Sequence, residues 1–86
     1  MKSFEYTITD PVGIHARPAG NLNKKAKSLA PASIKVTKDG KSALATKLMA
    51  LMGLGVKQGE TVTVTVEGEN EDAAYEEIKK FFEENL

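Results

Sequence analysis

The sequence predicts an α+β sandwich in which three helices cover one face of a four-stranded antiparallel sheet. Apolar and polar residues alternate in some segments, as in half-buried strands. In others the apolar residues recur every three or four positions, as in amphipathic helices. In chain order the segments read strand, helix, strand, strand, helix, strand, helix, and such a set buries its apolar surfaces as one sheet with helices on one face. The chain has 86 residues, so we expect residues 1–86 to form a single domain.

Four segments have the character expected of strands, and turn-forming residues separate them. The Asp39-Gly40 pair is a strong hairpin signal and joins the second strand to a short third strand from Lys41 to Ala45. The apolar members of the other three strands are Phe4, Tyr6 and Ile8, then Ile34 and Val36, and finally Val62, Val64 and Val66.

The first and last helices are indicated by apolar stripes at helical spacing. The stripes consist of Ala19, Leu22, Ala26 and Leu29 in the first helix, and of Ala74, Ile78, Phe81 and Phe82 in the last. Asn70 is expected to cap the last helix. Lys24, Lys25 and Lys27 are candidates for the polar face of the first helix, where they are either solvated charges or a docking surface for an acidic partner.

The second helix is predicted from Thr46 to Met52 and carries more apolar surface than one face can bury. Leu48, Leu51 and Met52 share one face, whereas Met49 lies one position from Leu48 and cannot lie fully on that face. Two interpretations stay open: all of this surface is core, or part of it is an exposed docking patch. Methionine suits the second, because its flexible side chain adapts to different partners.

The composition excludes several classes of protein. Without cysteine there is no disulfide framework and no cysteine-based zinc site, and a single histidine cannot form a histidine cluster, so we expect neither metal nor cofactor. Twelve basic and twelve acidic residues cancel, which argues against a general binder of nucleic acids or membrane surfaces. The chain shows neither a signal-peptide pattern nor a stretch of about 20 apolar residues, so we expect a cytoplasmic protein.

The candidate functional residues are His15 and Arg17, the only histidine and the only arginine. Histidine can exchange a proton near pH 7 and can act as a nucleophile, and arginine can grip an oxyanion with two hydrogen bonds. Pro18 is best tolerated in a first helical turn, so His15 is expected at or just before a helix N-terminus. A phosphoryl group on His15 would then meet the amides of Ala16 and Arg17. The alternative is that His15 only caps the helix and Arg17 is a solvated charge.

The segment from Gly13 to Ala19 reads Gly-Ile-His-Ala-Arg-Pro-Ala and resembles the active-site signature of the HPr family. These proteins are the histidine-containing phosphocarriers of the bacterial phosphoenolpyruvate:sugar phosphotransferase system. The resemblance spans the whole chain and includes the segment 39–42, the Leu48-Met49 pair, the Leu54-Gly55 pair and the segment 67–69. It implies an open-faced β-sandwich of four antiparallel strands covered by three helices. It also implies that enzyme I passes a phosphoryl group to Nδ1 of His15, which passes it to the IIA domains of sugar permeases.

The resemblance also assigns roles residue by residue. His15 matches the phosphorylated position, Arg17 matches the arginine that supports transfer, and Ala16 and Pro18 complete the phosphate-binding turn. The residues that match the partner-docking surface are Gly20, Lys24, Lys27, Leu48, Met49 and Met52. The protein is then a monomeric carrier without turnover of its own, and the alternative is a regulatory module whose docking depends on phosphorylation of His15.

The sequence departs from typical members at several positions. Lys47 occupies the place of a serine that an ATP-dependent kinase phosphorylates in many relatives, so we expect no regulation of that type, although Thr46 precedes it. Val12 replaces an asparagine or serine that could hydrogen bond near the histidine. Asn23 is polar where an apolar residue is usual, and the stretch between Lys27 and Asp39 is one residue longer.

Two rival classes have less support. RNA-binding domains with the same order of elements need aromatic residues on the sheet and a basic surface, but the strand from Lys41 to Ala45 has no aromatic residue. A small acyl-phosphate hydrolase could also use an arginine near a loop. It would need a group beside Arg17 that positions water, and it would release phosphate without a partner.

Overall fold

The computed structural model describes residues 1–11, 13–14 and 16–86, and only the backbone of Ala16. The expectations for Val12 and His15 therefore lie outside the described residues. The strands are β1 (Lys2–Thr7), β2 (Ser33–Lys38), β3 (Lys41–Leu44) and β4 (Thr61–Glu67), and the helices are α1 (Ala16–Ser28), α2 (Leu48–Gly53) and α3 (Glu71–Asn85). This order confirms the predicted sequence of elements.

The four strands form one antiparallel sheet in the order β1-β4-β2-β3. The register places Phe4 beside Val64, Val64 beside Val36, and Val36 beside Ala43, so one row of apolar residues crosses all four strands. The hairpin predicted at Asp39-Gly40 is present. Both residues have positive φ, 49° and 79°, as a tight two-residue hairpin turn of the type favoured by Asp-Gly requires.

The core lies between this apolar row and the helices. Its largest fully buried side chain is Phe82 of α3, whose ring packs edge-to-face against Phe4 and Tyr6, with centroids 5.8 and 5.6 Å away. The other side of the sheet is lined mainly by polar residues, with the exposed Leu44 as an apolar exception, and is at least partly exposed; there Thr7 bonds Thr61 across the strands. The sheet is therefore open on one side, as predicted.

The structure corrects the predicted start of α2. This helix begins at Leu48 rather than Thr46, and Lys47 is its extended N-cap residue. The Lys47 amide donates to the Leu44 carbonyl in a turn, and helical bonding starts with the Leu51 amide, which donates to the Lys47 carbonyl. The segment is thus held by the end of β3 before the helix begins.

The structure also corrects details of the other two helices. Asn70 precedes α3, but its side chain does not cap that helix. Its Nδ2 donates to the Leu29 carbonyl 2.9 Å away, and its Oδ1, the atom that would accept a capping bond, is buried without a hydrogen-bond partner in the described part of the chain. Leu29 itself lies just beyond α1 and is half-buried. Phe81 is half-buried rather than buried, because Phe82 occupies the centre of the core.

Asn23 is a buried polar residue on α1 with a specific partner. Its Nδ2 donates a hydrogen bond to the Ala45 carbonyl at 3.0 Å, and both residues are buried. Buried polar groups are costly unless they are hydrogen-bonded, and this bond ties α1 to the chain just before α2. The bond to Ala45 therefore offsets the cost of burying the polar Asn23 side chain at a position where an apolar residue is usual.

We expect Asn23→Ala to lower the free energy of unfolding by about 1–3 kcal/mol, because the buried Ala45 carbonyl loses its side-chain donor. Urea unfolding at pH 7 would measure the loss. Asn21→Ala is the matched control, since Asn21 is an exposed asparagine on the same helix and corrects for the higher helix propensity of alanine. Equal stabilities of the two variants would contradict the structural role of the Asn23 bond.

Candidate functional site

Arg17 and Pro18 lie in the first turn of α1, as the sequence predicts. The helix begins at Ala16, so Arg17 is its second residue and Pro18 its third. The first amides of a helix lack intrahelical carbonyl partners, so proline loses nothing there and the free amides can bind an anion. Arg17 is exposed and Pro18 is buried. The helix start therefore presents one guanidinium to solvent, two positions after His15 in the sequence.

The chain before this helix is anchored by residues that are distant in sequence. The amides of Thr9 and Asp10 both donate to the main-chain oxygen of Leu86, at 2.6 and 2.9 Å, and the Thr9 hydroxyl donates to the same oxygen at 3.0 Å. Gln58 Nε2 donates to the Thr9 carbonyl at 3.2 Å. The end of α3 and the turn before β4 thus fix the beginning of the loop.

The end of the loop is fixed by a close approach of two backbones. The Ile14 amide donates to the Val56 carbonyl at 3.1 Å, and the Ile14 side chain is buried. Gly13 has a φ of 77°, and a Cβ there would collide with the Val56 carbonyl and come within 2.8 Å of the Lys57 Cα. Only glycine combines this conformation with this contact. The residues that precede His15 are therefore held on both sides of position 12.

A shallow cleft of about 270 Å³ opens beside Arg17. Its lining residues are Asp10, Arg17, Pro18, Asn21 and Asn85. Arg17 and the Asn21 amide are potential donors to a small anion, whereas Asn85 uses its Nδ2 to bond the Phe81 carbonyl. Asn21 lies four positions after Arg17 on α1, so helical spacing is the signal that connects these two residues. Asp10 and Asn85 lie on other parts of the chain, and no local pattern connects them with Arg17.

Helix α2 exposes an apolar patch, defined here as Leu48, Met49 and Met52. These side chains are 37%, 82% and 36% exposed, whereas Leu51 between them is fully buried. A short helix has room for one anchoring residue against the core, and Leu51 takes that place. The interpretation in which all the apolar surface of α2 is core is therefore wrong. The interpretation that part of it is exposed agrees with the structure.

The α1 residues predicted to dock partners lie on one side of that helix. Gly20, Lys24 and Lys27 are spaced by four and three positions and so follow one another along one face. Gly20 is half-buried, and a Cβ added there would meet nothing within 4 Å. Both lysines are exposed, and neither forms an ion pair with the described part of the chain. Lys25 differs, because it pairs with Glu77 of α3 at 3.0 Å and so joins two helices.

Among the residues that the structure describes, no helix is long and apolar enough to cross a membrane.

Comparison with known proteins gives consistent matches. A family model described as "PTS HPr component phosphorylation site" matches residues 2–84. The phosphocarrier protein HPr of Lysinibacillus sphaericus is 46% identical over 78 residues, which cover 91% of this chain and 88% of that protein. A crystal structure of HPr-C-His from Thermoanaerobacter tengcongensis superposes with a TM-score of 0.89 at 35% identity and covers 96% of this chain and 92% of that one. A structure described as an HPr dimer from the same organism has a TM-score of 0.75 at 34% identity, with coverages of 98% and 95%.

Proposed function

Because the chain belongs to the HPr family of phosphocarriers of the phosphotransferase system, we propose that His15 carries a phosphoryl group between two proteins. The group comes from phosphorylated enzyme I and goes to the IIA domain of a sugar permease. The observation that carries this proposal is the placement of Arg17 and Pro18 in the first turn of α1, directly after His15 in the sequence.

In the proposed first transfer, the neutral imidazole of His15 attacks phosphorus through Nδ1. The new nitrogen–phosphorus bond forms as the bond between phosphorus and the enzyme I donor breaks. The carrier thus receives the phosphoryl group from enzyme I and catalyses no reaction of its own. Arg17 and the amides of Ala16 and Arg17 offset the charge on the three phosphoryl oxygens. Pro18 keeps the first turn helical without requiring a partner for an amide.

An exposed site suits a carrier better than a deep one. A buried cage of donors would stabilise phosphohistidine so strongly that the second transfer would be slow. Arg17 is exposed and the cleft beside it is shallow, so the phosphoryl group stays accessible for in-line attack by the next acceptor.

We propose that the apolar patch, together with Gly20, Lys24 and Lys27, docks both protein partners. Exposed apolar side chains together with exposed lysines fit a partner surface with an apolar centre and an acidic rim. Gly20 would allow close approach of a partner to the backbone of α1, because no side chain covers it there.

The alternative is a regulatory module whose docking depends on phosphorylated His15. It would use the same patch, but would not pass the phosphoryl group on.

Lys47, at the position of the regulatory serine in many relatives, is the N-cap residue of α2 and carries no hydroxyl, so that position cannot take a phosphate ester.

We further propose a cytoplasmic monomer whose single domain spans residues 1–86. Enzyme I and the IIA domains must reach the docking surface in turn, and a monomer leaves this surface free. Self-association is the alternative, since one similar structure is described as a dimer.

The test is incubation with enzyme I and labelled phosphoenolpyruvate. We expect acid-labile, base-stable label on the wild type and none on His15→Ala. The rate of labelling of Met49→Asp should be at least about tenfold lower than that of the wild type, because a charge would enter the apolar centre of the docking surface. Ala73→Asp is the matched control, since Ala73 is exposed on α3, outside the proposed docking surface.

Three results would contradict parts of the proposal. A wild type that takes no label from a competent enzyme I would overturn the carrier function. Equal rates for Met49→Asp and Ala73→Asp would overturn the docking role of the patch. Labelled protein that transfers nothing to any IIA domain would favour the regulatory alternative.

A further inference from the structure

Lys38, the last residue of β2, has acceptors for all of its ammonium hydrogens. Its Nζ lies 2.9 Å from Glu60 Oε1, 3.1 Å from the Gly55 carbonyl oxygen and 3.4 Å from the Leu54 carbonyl oxygen. The side chain is only 16% exposed. An ammonium group has three donors, so this lysine is bound by the protein rather than solvated. The Lys38 bond lowers the pKa of Glu60, as does the hydrogen bond from the Lys57 amide, and Glu60 is therefore ionised at neutral pH.

The acceptors of Lys38 belong to one segment, residues 54–60, which we call the connector because it joins α2 to β4. Its first residues close the end of α2, since the amides of Leu54 and Gly55 donate to the carbonyls of Leu51 and Met52. Its last residue, Glu60, also accepts the Lys57 amide at 2.7 Å. Lys38 thus holds the connector at both ends.

The same connector is bonded along its length to the segment 8–14. The Gly59 amide donates to the Ile8 carbonyl at 2.8 Å, and the Ile8 amide donates to the Glu60 carbonyl at 3.0 Å. The bonds from Gln58 to Thr9 and from Ile14 to Val56, described above, complete the pairing. The connector therefore lies between the end of α2 and the residues that precede His15.

We infer that Lys38 is a positioning residue, which acts through the connector to hold Ile8, Thr9 and Ile14 in place for phosphoryl transfer. Without the ammonium, two carbonyl oxygens and a carboxylate would face one another without a cation, and they would separate. A shift of Gly55 moves Val56, whose carbonyl oxygen sets the position of Ile14. This inference rests on the proposed function for its catalytic part only.

The first readout is amide hydrogen exchange in the full chain at pH 7. In Lys38→Met we expect the amides of Ile14 and Gly55 to exchange about tenfold faster than in the wild type, which corresponds to about 1.4 kcal/mol. The exchange rate of the Val64 amide, in the centre of the sheet, should change only by the amount that the change in global stability explains. Lys35→Met is the matched control, because Lys35 lies on the same strand but is exposed, and it removes the same charge.

The second readout is the kinetics of labelling by enzyme I. We expect kcat to fall about tenfold in Lys38→Met with KM changed less than twofold, because small displacements of reacting groups slow transfer while Leu51 still anchors the apolar patch. Lys38→Arg should recover most of the rate, since guanidinium can also bond two carbonyls and a carboxylate. A purely structural role would lower the fraction of the carrier that can accept a phosphoryl group. Because the carrier is the substrate of enzyme I in this assay, the apparent KM would then rise and kcat would not change.

Unchanged exchange at Ile14 in Lys38→Met, relative to Lys35→Met, would overturn the inference whether or not His15 accepts a phosphoryl group. Faster exchange at Ile14 with an unlabelled wild type would overturn the proposed function and support the coupling through the connector. If Lys38→Met does not fold, Glu60→Gln provides the second variant. It keeps the carbonyl bonds and should give a smaller but measurable gain in exchange at Ile14.

Discussion

Replacing Arg17 with alanine is expected to slow phosphoryl transfer to His15 by about 10²–10³-fold, the usual effect of removing one donor from a developing oxyanion. The free energy of unfolding should stay within about 0.5 kcal/mol of the wild type, because the side chain is exposed. Arg17 would then contribute to the rate of transfer rather than to the fold. Single-turnover labelling by phosphorylated enzyme I, with urea unfolding in parallel, measures both quantities.

Two further variants sharpen this experiment. Arg17→Lys keeps the charge but loses the paired, planar donors, so its rate should lie between those of the wild type and Arg17→Ala. Lys41→Ala removes an exposed cation from the hairpin and controls for the loss of charge alone. Transfer by Arg17→Ala at the wild-type rate would show that the helix amides suffice and that Arg17 has no role in the chemistry.

The second large effect is expected at Gly13. We expect Gly13→Ala to lower the free energy of unfolding by about 2–4 kcal/mol, from the cost of positive φ and the loss of the bond between Ile14 and Val56. The added Cβ collides with the Val56 carbonyl oxygen, so the two backbones must separate. Urea unfolding measures this loss, and enzyme I labelling of the folded variant should slow because the segment before His15 moves.

Gly40→Ala is the matched control for this substitution. Gly40 has a φ of 79°, close to the 77° of Gly13, but a Cβ there would meet nothing within 4 Å. Its cost should be about 1–2 kcal/mol, which reflects the backbone conformation alone. If Gly13→Ala costs no more than Gly40→Ala, the close approach of Gly13 to Val56 contributes nothing to stability.

Much of the fold follows from patterns that are local in the sequence. Alternation places Val62, Val64 and Val66 on one face of a strand wherever that strand lies, because successive side chains point to opposite sides. The Asp39-Gly40 pair forms its hairpin because both residues tolerate positive φ. Pro18 places the first turn of α1 for a similar reason, since its own ring fixes φ. Such features need no information about distant parts of the chain.

Local patterns do not decide which of several possible partners a side chain bonds. Asn70 has the right identity and position to cap α3, yet its Oδ1 accepts no capping bond, and its side chain is oriented by the bond that Nδ2 donates to the Leu29 carbonyl. The choice depends on what lies within reach, and only the packing of α1 beside α3 brings Leu29 there. Residues 48–52 likewise had two open interpretations, because periodicity identifies a face but does not show whether the core has room for it.

The sequence alone determined the family signature from Gly13 to Ala19, the order of the elements and the pairing of His15 with Arg17 in one motif. Only the tertiary structure decided which side chains of α2 stay exposed, that Asn23 bonds Ala45, and that Lys38 holds the connector. The physical reason is how far apart in the sequence the interacting residues lie. Strand alternation, turn conformation and helix starts are set by neighbouring residues, whereas these contacts join residues that only the sheet topology brings together.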